Sequence, residues 1–245
     1  MSRSLVRYLL ALVVLALCTQ ASAAAPAQFA VVEQFAARLS AGWLTQVRNL
    51  LSPDVFLAEH DLTVRVAVGP EAHARFRAMV AEGARLEVTF ESASADGAVI
   101  VTRDQMWLDD MPEHVMPLRS TGVYVVDGGR LHSITRVLGA DQRDALMREA
   151  VVGAWRALGT YVFSYRADGT YDIERNERPF DSGDYTVEGG VLRIVSNEQA
   201  QACQPGHVGM WWMAFTDLDL HTINKIEDMC APRSGPTVSL GRMSE

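Results

Sequence analysis

The apolar residues between positions 29 and 81 recur mainly at the spacing of amphipathic helices. Phe29, Phe35 and Leu39 share one face of a first predicted helix. A second, shorter helix is predicted from Trp43 to Leu51. Pro70 begins a third helix, because proline in the first turn lacks an N–H group that would have no partner there anyway. The first part of the chain is therefore expected to be mainly helical.

The rest of the first half alternates between apolar and polar residues at period two, which predicts strands. Short extended segments are expected between Asp54 and Val68, and long strands are expected to start at Arg85 and to cover Val99–Leu108. Leu118–Val126 and Arg130–Leu138 are expected to form a hairpin around a glycine-containing turn. Three helices and four long antiparallel strands predict an α+β fold shaped as a cone.

The second half begins with a predicted linking helix over residues 140–152 and is otherwise β. Three successive hairpins are predicted in about 75 residues, which is typical of a small antiparallel barrel or a curved sheet. The expected organisation is therefore a signal peptide over residues 1–23, an α+β domain over 24–139, the linking helix, and an all-β domain over 153–245.

The N-terminus has the composition of a cleavable secretory signal peptide. Two arginines and no acid precede the apolar run Tyr8–Leu17, and small residues follow at Ala21-Ser22-Ala23. A membrane anchor is the alternative, but ten apolar residues are too few for the roughly 20 that a bilayer requires. A lipoprotein acylated at Cys18 is a second alternative, which a bulky Leu17 disfavours. We expect cleavage after Ala23 and a periplasmic or secreted protein without a membrane anchor.

Charge argues against nucleic acid as a partner. The full chain has 22 basic and 30 acidic side chains, a net charge of −8. Removal of the first 23 residues takes away two arginines, which leaves 20 basic against 30 acidic side chains and a net charge of about −10. Such a surface repels phosphate backbones and anionic lipids. The expected partner is a small hydrophobic or amphipathic molecule.

Two of the three cysteines, Cys203 and Cys230, remain after cleavage. An even number of cysteines in an exported chain favours a disulfide. A metal site that recruits His207 and His221 is an alternative, although their spacing matches no known metal-binding pattern. Free thiols are a further alternative. No metal or cofactor is expected.

The order of elements over residues 29–138 resembles that of the NTF2-like superfamily, which includes SnoaL-type polyketide cyclases and ketosteroid isomerases. The segment Phe35–Gly42, followed by Leu50–Val55, carries the resemblance. It implies a curved sheet that wraps around a helix and leaves a cone-shaped pocket. Relatives often pair through the outer face of the sheet, so the resemblance also implies a possible homodimer.

Alignment with the ketosteroid isomerases places Glu59 at or near the position of the catalytic base. Gln34 falls where those enzymes have a tyrosine, and Thr121 falls where they have a second acid. Without these donors an isomerase loses the groups that stabilise the developing oxyanion. Steroid isomerisation is therefore not expected.

Glu59 and Asp61 remain as candidate catalytic bases, since a carboxylate at the mouth of an apolar pocket can acquire a raised pKa. A solvated acidic loop is the alternative for both. Trp107, Tyr124 and Arg103 are the candidate ligand-binding residues on strands that border the cone. Strand alternation places Arg103 and Trp107 on one side and Asp104 on the other. A structural ion pair is the alternative for Arg103.

Gly153-Ala154-Trp155, followed by Phe163 and the segment Asp168–Tyr171, resembles the opening of lipocalin-like proteins. In these proteins a Gly-x-Trp begins the first strand and the tryptophan plugs the base of the barrel. The resemblance implies a reduced lipocalin-like barrel with a small interior and a structural role for Trp155. Strand alternation also predicts that one of Trp211 and Trp212 faces inward and the other outward.

Three functions from different classes fit these features. The first is a non-catalytic, exported binder of a small apolar or amphipathic molecule. The second is an NTF2-like enzyme of the isomerase, cyclase or hydratase type with a carboxylate base. The third is an envelope interaction or structural protein whose cups are filled cores. The sequence favours the binder, because two cup-forming folds are expected and the catalytic residues of the related isomerases are missing.

Overall fold

The computed structural model describes residues 25–109, 111, 113–157, 159–217, 220–233, 235 and 237–243. The predicted signal peptide, including Cys18, lies outside the described residues. Contacts divide the chain into two units, one formed by residues up to 60 and 65–138, the other by residues 61–64 and from 139 onward. Each helix of the described segments is too short or too polar to cross a membrane.

The first unit consists of three α-helices, a short 3-10 helix and a six-stranded sheet. The helices are α1 (Phe29–Ser40), α2 (Leu44–Leu50) and α3 (Pro70–Ala81), and the 3-10 helix is Glu113–Val115. The strands are β1 (Leu51–His60), β2 (Val64–Val68), β3 (Arg85–Ala93), β4 (Val99–Trp107), β5 (Leu118–Asp127) and β6 (Arg130–Leu138). The predicted α+β fold is confirmed.

The sheet has the order β2-β1-β6-β5-β4-β3. Strands β3 to β6 pair antiparallel in sequence order, whereas β1 runs parallel to β6. Helix α1 packs its apolar face on the sheet, and Phe35 contacts Phe76 of α3 edge to face with ring centroids 5.4 Å apart. The core thus lies between the helices and the inward face of the sheet.

The beginning of β1 differs from the sequence prediction. Residues 51–53 were expected to close a helix, but β1 already starts at Leu51 and includes Pro53. The register of β1 against β6 shifts between Leu51 and Phe56. Proline is tolerated in a strand at such an irregularity, because its missing N–H group breaks no regular ladder bond there.

The second unit consists of helix α4 (Ala140–Val151) and a closed barrel of eight antiparallel strands. The strands are β7 (Gly153–Ala157), β8 (Tyr161–Tyr165), β9 (Thr170–Arg175), β10 (Arg178–Glu188), β11 (Val191–Ser196), β12 (Val208–Asp217), β13 (Leu220–Asp228) and β14 (Thr237–Arg242). The predicted barrel is confirmed. The last strand, β14, was missed, although Leu240 is fully buried on its inward face. It closes the barrel by pairing with both β13 and β7.

Trp155 lies fully buried in the barrel. Its indole Nε1 donates a hydrogen bond to the carbonyl oxygen of Val151 at 2.6 Å. The guanidinium of Arg242 stacks over the ring, 4.3 Å from the centroid. Trp211 faces the interior and Trp212 is exposed, as strand alternation predicts.

Candidate functional site

Polar side chains cluster on the inward face of the first sheet, surrounded by apolar core residues. Alternation along β1, β4, β5 and β6 points one polar residue or more from each strand to this face. All of them are less than 9% exposed. The members of this inward cluster are Glu59, Thr102, Asp104, Tyr124 and Arg136.

Glu59 is held by two arginines. Its Oε1 accepts a hydrogen bond from Arg136 Nη2 at 2.6 Å, and its Oε2 accepts one from Arg75 Nε at 3.0 Å. Burial by itself would raise the pKa of Glu59, but Arg136 and then Arg75 outweigh burial and hold the pKa below its usual value. Glu59 is therefore a stably ionised carboxylate whose two oxygens are both engaged.

Asp104 has a different environment from Glu59. It is 1% exposed, and it accepts hydrogen bonds from Tyr124 OH at 2.6 Å and from Thr102 Oγ1 at 2.5 Å. Burial raises the pKa of Asp104, and the two hydroxyl donors offset only part of this effect. Burial and the neighbouring Asp104 also raise the pKa of Tyr124 well above its usual value. Asp104 and Tyr124 thus form a buried, hydrogen-bonded pair in which burial favours the protonated form of each group.

Gly122 makes the approach of Asp104 to Tyr124 possible. A Cβ atom at this position would overlap Asp104 Oδ2, Thr102 Oγ1 and Tyr124 Cε2. Gly122 pairs with Thr102 on one side and with Arg136 on the other. A residue without a side chain in the middle of β5 therefore creates the space in which the inward cluster assembles.

Arg136 interacts with both carboxyl groups of the inward cluster, Glu59 and Asp104. Besides Glu59, its guanidinium contacts the sulfur of Met106 at 2.9 Å through Nη1. The positive charge of Arg136 also lowers the pKa of Asp104, although burial remains the larger effect. The cluster combines one ionised carboxylate, one carboxyl group with a raised pKa and a buried guanidinium. Two carboxyl groups with divergent pKa values are what acid–base chemistry requires.

The structure brings two of the sequence-predicted site residues, Glu59 and Tyr124, to the same inward face. Asp61 lies on a bend that belongs to the second unit, where its Oδ1 accepts a hydrogen bond from the Thr63 backbone N–H at 2.9 Å. Arg103 lies on the outer face of the sheet and forms an ion pair with Glu91 at 2.7 Å.

Trp107 is half-buried at the end of β4. By alternation it shares the outer side of the strand with Arg103. Its ring lies under the guanidinium of Arg85, at 5.6 Å from the centroid. It is therefore separated from the inward cluster.

Asp104 and Arg136 lie on the predicted strands Val99–Leu108 and Arg130–Leu138. Neither was predicted from the sequence as a site residue. A signal was present, because Asp104 is the one charged residue on the face of β4 that also carries Ile100, Thr102 and Met106. A charged residue in the apolar phase of a strand indicates a buried polar group that needs partners.

A groove of about 620 Å³ lies on the second unit between α4 and β10. Its lining includes four acidic residues, among them Asp144 and Glu188, and one basic residue, Arg148. The Asp144 carboxylate accepts hydrogen bonds from the backbone N–H groups of Gly189 at 2.7 Å and Gly190 at 3.2 Å. Asp144 therefore ties α4 to the β10–β11 turn. Within the described ranges, no three His, Cys, Asp or Glu side chains are arranged to hold a metal ion.

The predicted disulfide is confirmed. Cys203 and Cys230 are bonded, with Cα atoms 5.4 Å apart. Cys203 lies in the β11–β12 connection and Cys230 follows β13. The bond therefore links two connections of the barrel.

The first unit is an α+β fold whose sheet has the order β2-β1-β6-β5-β4-β3, and the second unit is a closed eight-stranded antiparallel barrel. No protein-family model matches the sequence, and no curated protein matches it. Solved structures similar to this chain include the epoxide hydrolase/cyclase-like enzyme SalBIII, described for pyran ring formation in the polyether salinomycin. It is 14% identical, covers 47% of this chain and 92% of its own, and has a TM-score of 0.41.

Two further similar structures cover comparable shares of the chain. An LEH-like epoxide hydrolase of M. tuberculosis is 22% identical over 47% of this chain and 85% of its own, with a TM-score of 0.36. An NTF2-like protein of unknown function from Cytophaga hutchinsonii is 10% identical over 51% of this chain and 96% of its own, also with a TM-score of 0.36. The similar structures therefore include both enzymes and proteins of unknown function.

Proposed function

We propose that the first unit binds a small apolar or amphipathic molecule at the inward face of its sheet, with Asp104 and Tyr124 as the polar contact. The observation that carries this proposal is the buried Tyr124–Asp104 hydrogen bond of 2.6 Å within an apolar core. An apolar site with a few convergent polar groups is the usual form of a small-molecule site. Asp104 accepts two hydrogen bonds, and a carboxylate has acceptor capacity for more.

The state of Glu59 supports binding over catalysis by that residue. Both of its oxygens are engaged by arginines, and its pKa is lowered. A general base needs a free lone pair and a pKa near the working pH. Glu59 therefore serves as the counter-ion of Arg136 and Arg75, and its lowered pKa makes it a weak base.

One observation favours an enzyme as the second candidate function. Burial raises the pKa of Asp104, so this group is closer than Glu59 to the range in which a carboxyl group exchanges protons. Asp104 would then move a proton to or from the bound molecule, and Tyr124 would orient it. Turnover of the bound compound distinguishes this candidate from simple binding.

We further propose that the protein works outside the cytoplasm. The composition of residues 1–23 supports export. The disulfide between Cys203 and Cys230 supports an oxidising compartment, where such bonds persist.

Binding is tested with long-chain alcohols and hydrocarbons of matched length, read out by tryptophan quenching and thermal stabilisation. We expect the alcohols to bind more tightly, because the hydroxyl can pair with Asp104. Tyr124→Phe keeps the ring and removes the phenolic oxygen that, with Asp104, receives the hydroxyl of the ligand, and it should weaken alcohol binding by about tenfold, the value of one hydrogen bond. Hydrocarbon binding should change little.

Arg103→Gln is the matched control, because it removes a charge and an ion pair from the outer face of the same sheet. It should leave the binding of both series unchanged. If no compound binds, or if Tyr124→Phe and Arg103→Gln behave alike, the proposed site is wrong. Mass spectrometry of the bound compound after incubation reports turnover. The enzyme candidate requires Asp104→Asn to reduce turnover by about a hundredfold or more while binding persists.

A further inference from the structure

The guanidinium of Arg233 is buried inside the barrel of the second unit and contacts several strands at once. Its side chain is 3% exposed. Nη1 donates hydrogen bonds to Asp181 Oδ2 at 2.5 Å and to Ser196 Oγ at 2.9 Å. Nη2 and Nε donate to the two oxygens of Asp228 at 2.8 and 3.1 Å. Both aspartate side chains are fully buried.

The Arg233 cluster closes one end of the barrel. Consecutive antiparallel strands place their connections at alternating ends, so the β11–β12 and β13–β14 connections lie at the same end. Arg233 comes from the β13–β14 connection, and its guanidinium lies 5.5 Å from the ring centroid of Trp211. It also donates to Tyr171 OH at 3.2 Å. Trp211 and Tyr171 belong to the hydrophobic core of the barrel, so Arg233 covers apolar surface at this end.

The disulfide anchors the segment that carries Arg233. Cys230 precedes Arg233 by three residues, and the Arg233 backbone N–H donates to the Cys230 carbonyl at 3.0 Å. The Cys230 N–H in turn donates to Asp228 Oδ1 at 2.9 Å. The other half-cystine, Cys203, follows Ala202, whose N–H donates to the Phe180 carbonyl at 2.8 Å. The covalent bond thus fixes the Arg233 turn to β10.

We propose that Cys203–Cys230 and Arg233 form a redox-sensitive latch that controls access to the apolar interior at this end of the barrel. A dithiol reductant opens the latch. Its thiolate attacks one sulfur and releases the other as a protein thiol, and the second thiolate of the reductant then attacks the reductant's own sulfur in the mixed disulfide and releases the second protein thiol. The products are two protein thiols and the cyclic disulfide of the reductant, so two electrons and two protons pass to the protein. The Arg233 turn is then held by non-covalent contacts alone.

The charge balance of the Arg233 cluster explains why the covalent anchor matters. One guanidinium faces two buried carboxylates, and among the described residues no donor reaches Asp181 Oδ1. Buried ion pairs recover little of the free energy lost by desolvation, and an unpaired carboxylate oxygen adds to that loss. The disulfide, which spans a sequence separation of 27 residues, is the covalent factor that holds the Arg233 turn at this end of the barrel. Reduction removes this factor and lets water reach the cluster.

The latch is tested on the full protein with Nile red, a neutral apolar dye, before and after reduction by dithiothreitol. Circular dichroism reports whether the strands persist, and hydrogen exchange with mass spectrometry locates the change. We expect the reduced protein to keep its β-sheet spectrum and to bind more dye. We also expect amides of residues 228–233 to exchange at least about tenfold faster, whereas those of β8 stay protected.

Arg233→Met tests the contribution of the guanidinium to the latch, because methionine is of similar length and carries no charge. The oxidised variant should bind the dye without reduction, and reduction should add little more. Arg166→Met is the matched control, since Arg166 forms an exposed ion pair with Asp172 on the same barrel. It should behave as the wild type.

Three results would overturn the latch. The first is loss of the whole β-sheet spectrum on reduction, which would make the disulfide a general structural cross-link. The second is a reduced protein that binds no additional dye and keeps residues 228–233 protected. The third is an oxidised, folded Arg233→Met protein without added dye binding. If Arg233→Met fails to fold, the exchange pattern of the reduced wild type decides alone.

Discussion

The buried residues Glu59, Asp104 and His221 differ in the partners that surround their ionisable groups. Glu59 has arginine partners, Asp104 has hydroxyl donors, and His221 has neither. The His221 ring is fully buried and packs edge to face on Trp155 with centroids 4.2 Å apart. No partner for its ring nitrogens lies among the described residues. A buried group is stable in its charged form only when partners replace the lost water.

Glu59→Gln should destabilise the first unit. The substitution keeps the size of the side chain but leaves Arg136 buried without its carboxylate, which typically costs about 3 kcal/mol. Urea unfolding followed by circular dichroism measures the change in the free energy of unfolding. Glu91→Gln is the control, because it removes the same charge from the exposed pair with Arg103 and should cost less than about 1 kcal/mol. Equal effects of the two substitutions would contradict the buried ion pair.

His221 should make the second unit sensitive to acid. Burial, with a smaller effect of Arg242, lowers the pKa of His221 to about 4. Between about pH 6.5 and 4 the unfolded chain therefore binds a proton that the folded chain does not. Stability should fall as the pH drops through this window, by about 3 kcal/mol in total, and should level off below it.

His221→Phe should remove this dependence, because the phenyl ring fits between aromatic neighbours and cannot be protonated. The measurement is the difference in unfolding free energy between wild type and variant at several pH values. Asp104 acts with the opposite sign, since its raised pKa adds stability on acidification, and this contribution cancels in the difference. A difference that stays constant from pH 7 to 4 would show that His221 is not the acid-sensitive group.

At the scale of elements, short-range and long-range contacts stabilise different parts of the fold. Turns and strand alternation form the hairpins, while single side chains tie elements that are distant in sequence. Asp144 of α4 accepts the backbone N–H groups of Gly189 and Gly190, 45 and 46 residues away. Arg242 of β14 covers the ring of Trp155 and donates to the carbonyl of Ala150 at 2.6 Å. These contacts fix α4 and the last strand to the barrel.

Asp144→Ala should destabilise the second unit by about 2 kcal/mol. The substitution removes two hydrogen bonds to a charged acceptor and leaves the N–H group of Gly190, a buried residue, without its partner. Asp141→Ala on the same helix is the control, because Asp141 is exposed and should contribute less than about 0.5 kcal/mol. Chemical unfolding of both variants gives the comparison. A cost for Asp144→Ala no larger than the control would mean that the helix is held by its apolar face alone.

At the scale of the whole molecule, the two units carry their polar groups in different ways. The first unit buries its cluster beneath helices and keeps a carboxyl group with a raised pKa. The second unit closes its barrel with a guanidinium that a disulfide anchors. The disulfide of the second unit agrees with the export that we propose, because an oxidising compartment preserves such bonds.

Export should be visible in the mass of the protein recovered from the periplasm or the medium. We expect a chain that begins at or near Ala24 and carries no lipid, because small residues precede Ala24 and a bulky Leu17 disfavours acylation at Cys18. Intact-mass spectrometry measures both properties. An uncleaved chain, or a diacylglyceryl adduct on Cys18, would contradict the prediction. A variant with arginine at Ala21 and Ala23 is the control, since it disrupts the small residues that the peptidase requires and should remain uncleaved.

Local sequence determined most of the elements and the disulfide. Helix α1 and the long strands follow from the spacing of apolar residues, because the periods of 3.6 and 2 are properties of the backbone itself. The pairing of Cys203 with Cys230 followed from counting, since only two cysteines remained. Strand alternation also placed Arg103 and Asp104 on opposite faces. The start of β1 at Leu51 was missed, because Pro53 is tolerated there only through an irregular pairing with β6.

Tertiary structure alone decided which polar side chains meet. Glu59 and Arg136 are 77 residues apart, and Arg233 and Asp181 are 52 apart. Their contacts depend on strand order and register. The local sequence pattern of one strand determines neither the strand order nor the partner residues across the sheet. Glu59 looked like a base at the mouth of a cone, but the parallel pairing of β1 with β6 sets it opposite Arg136 and ionises it. The chemistry of these carboxylates is thus set by partners that only the folded chain supplies.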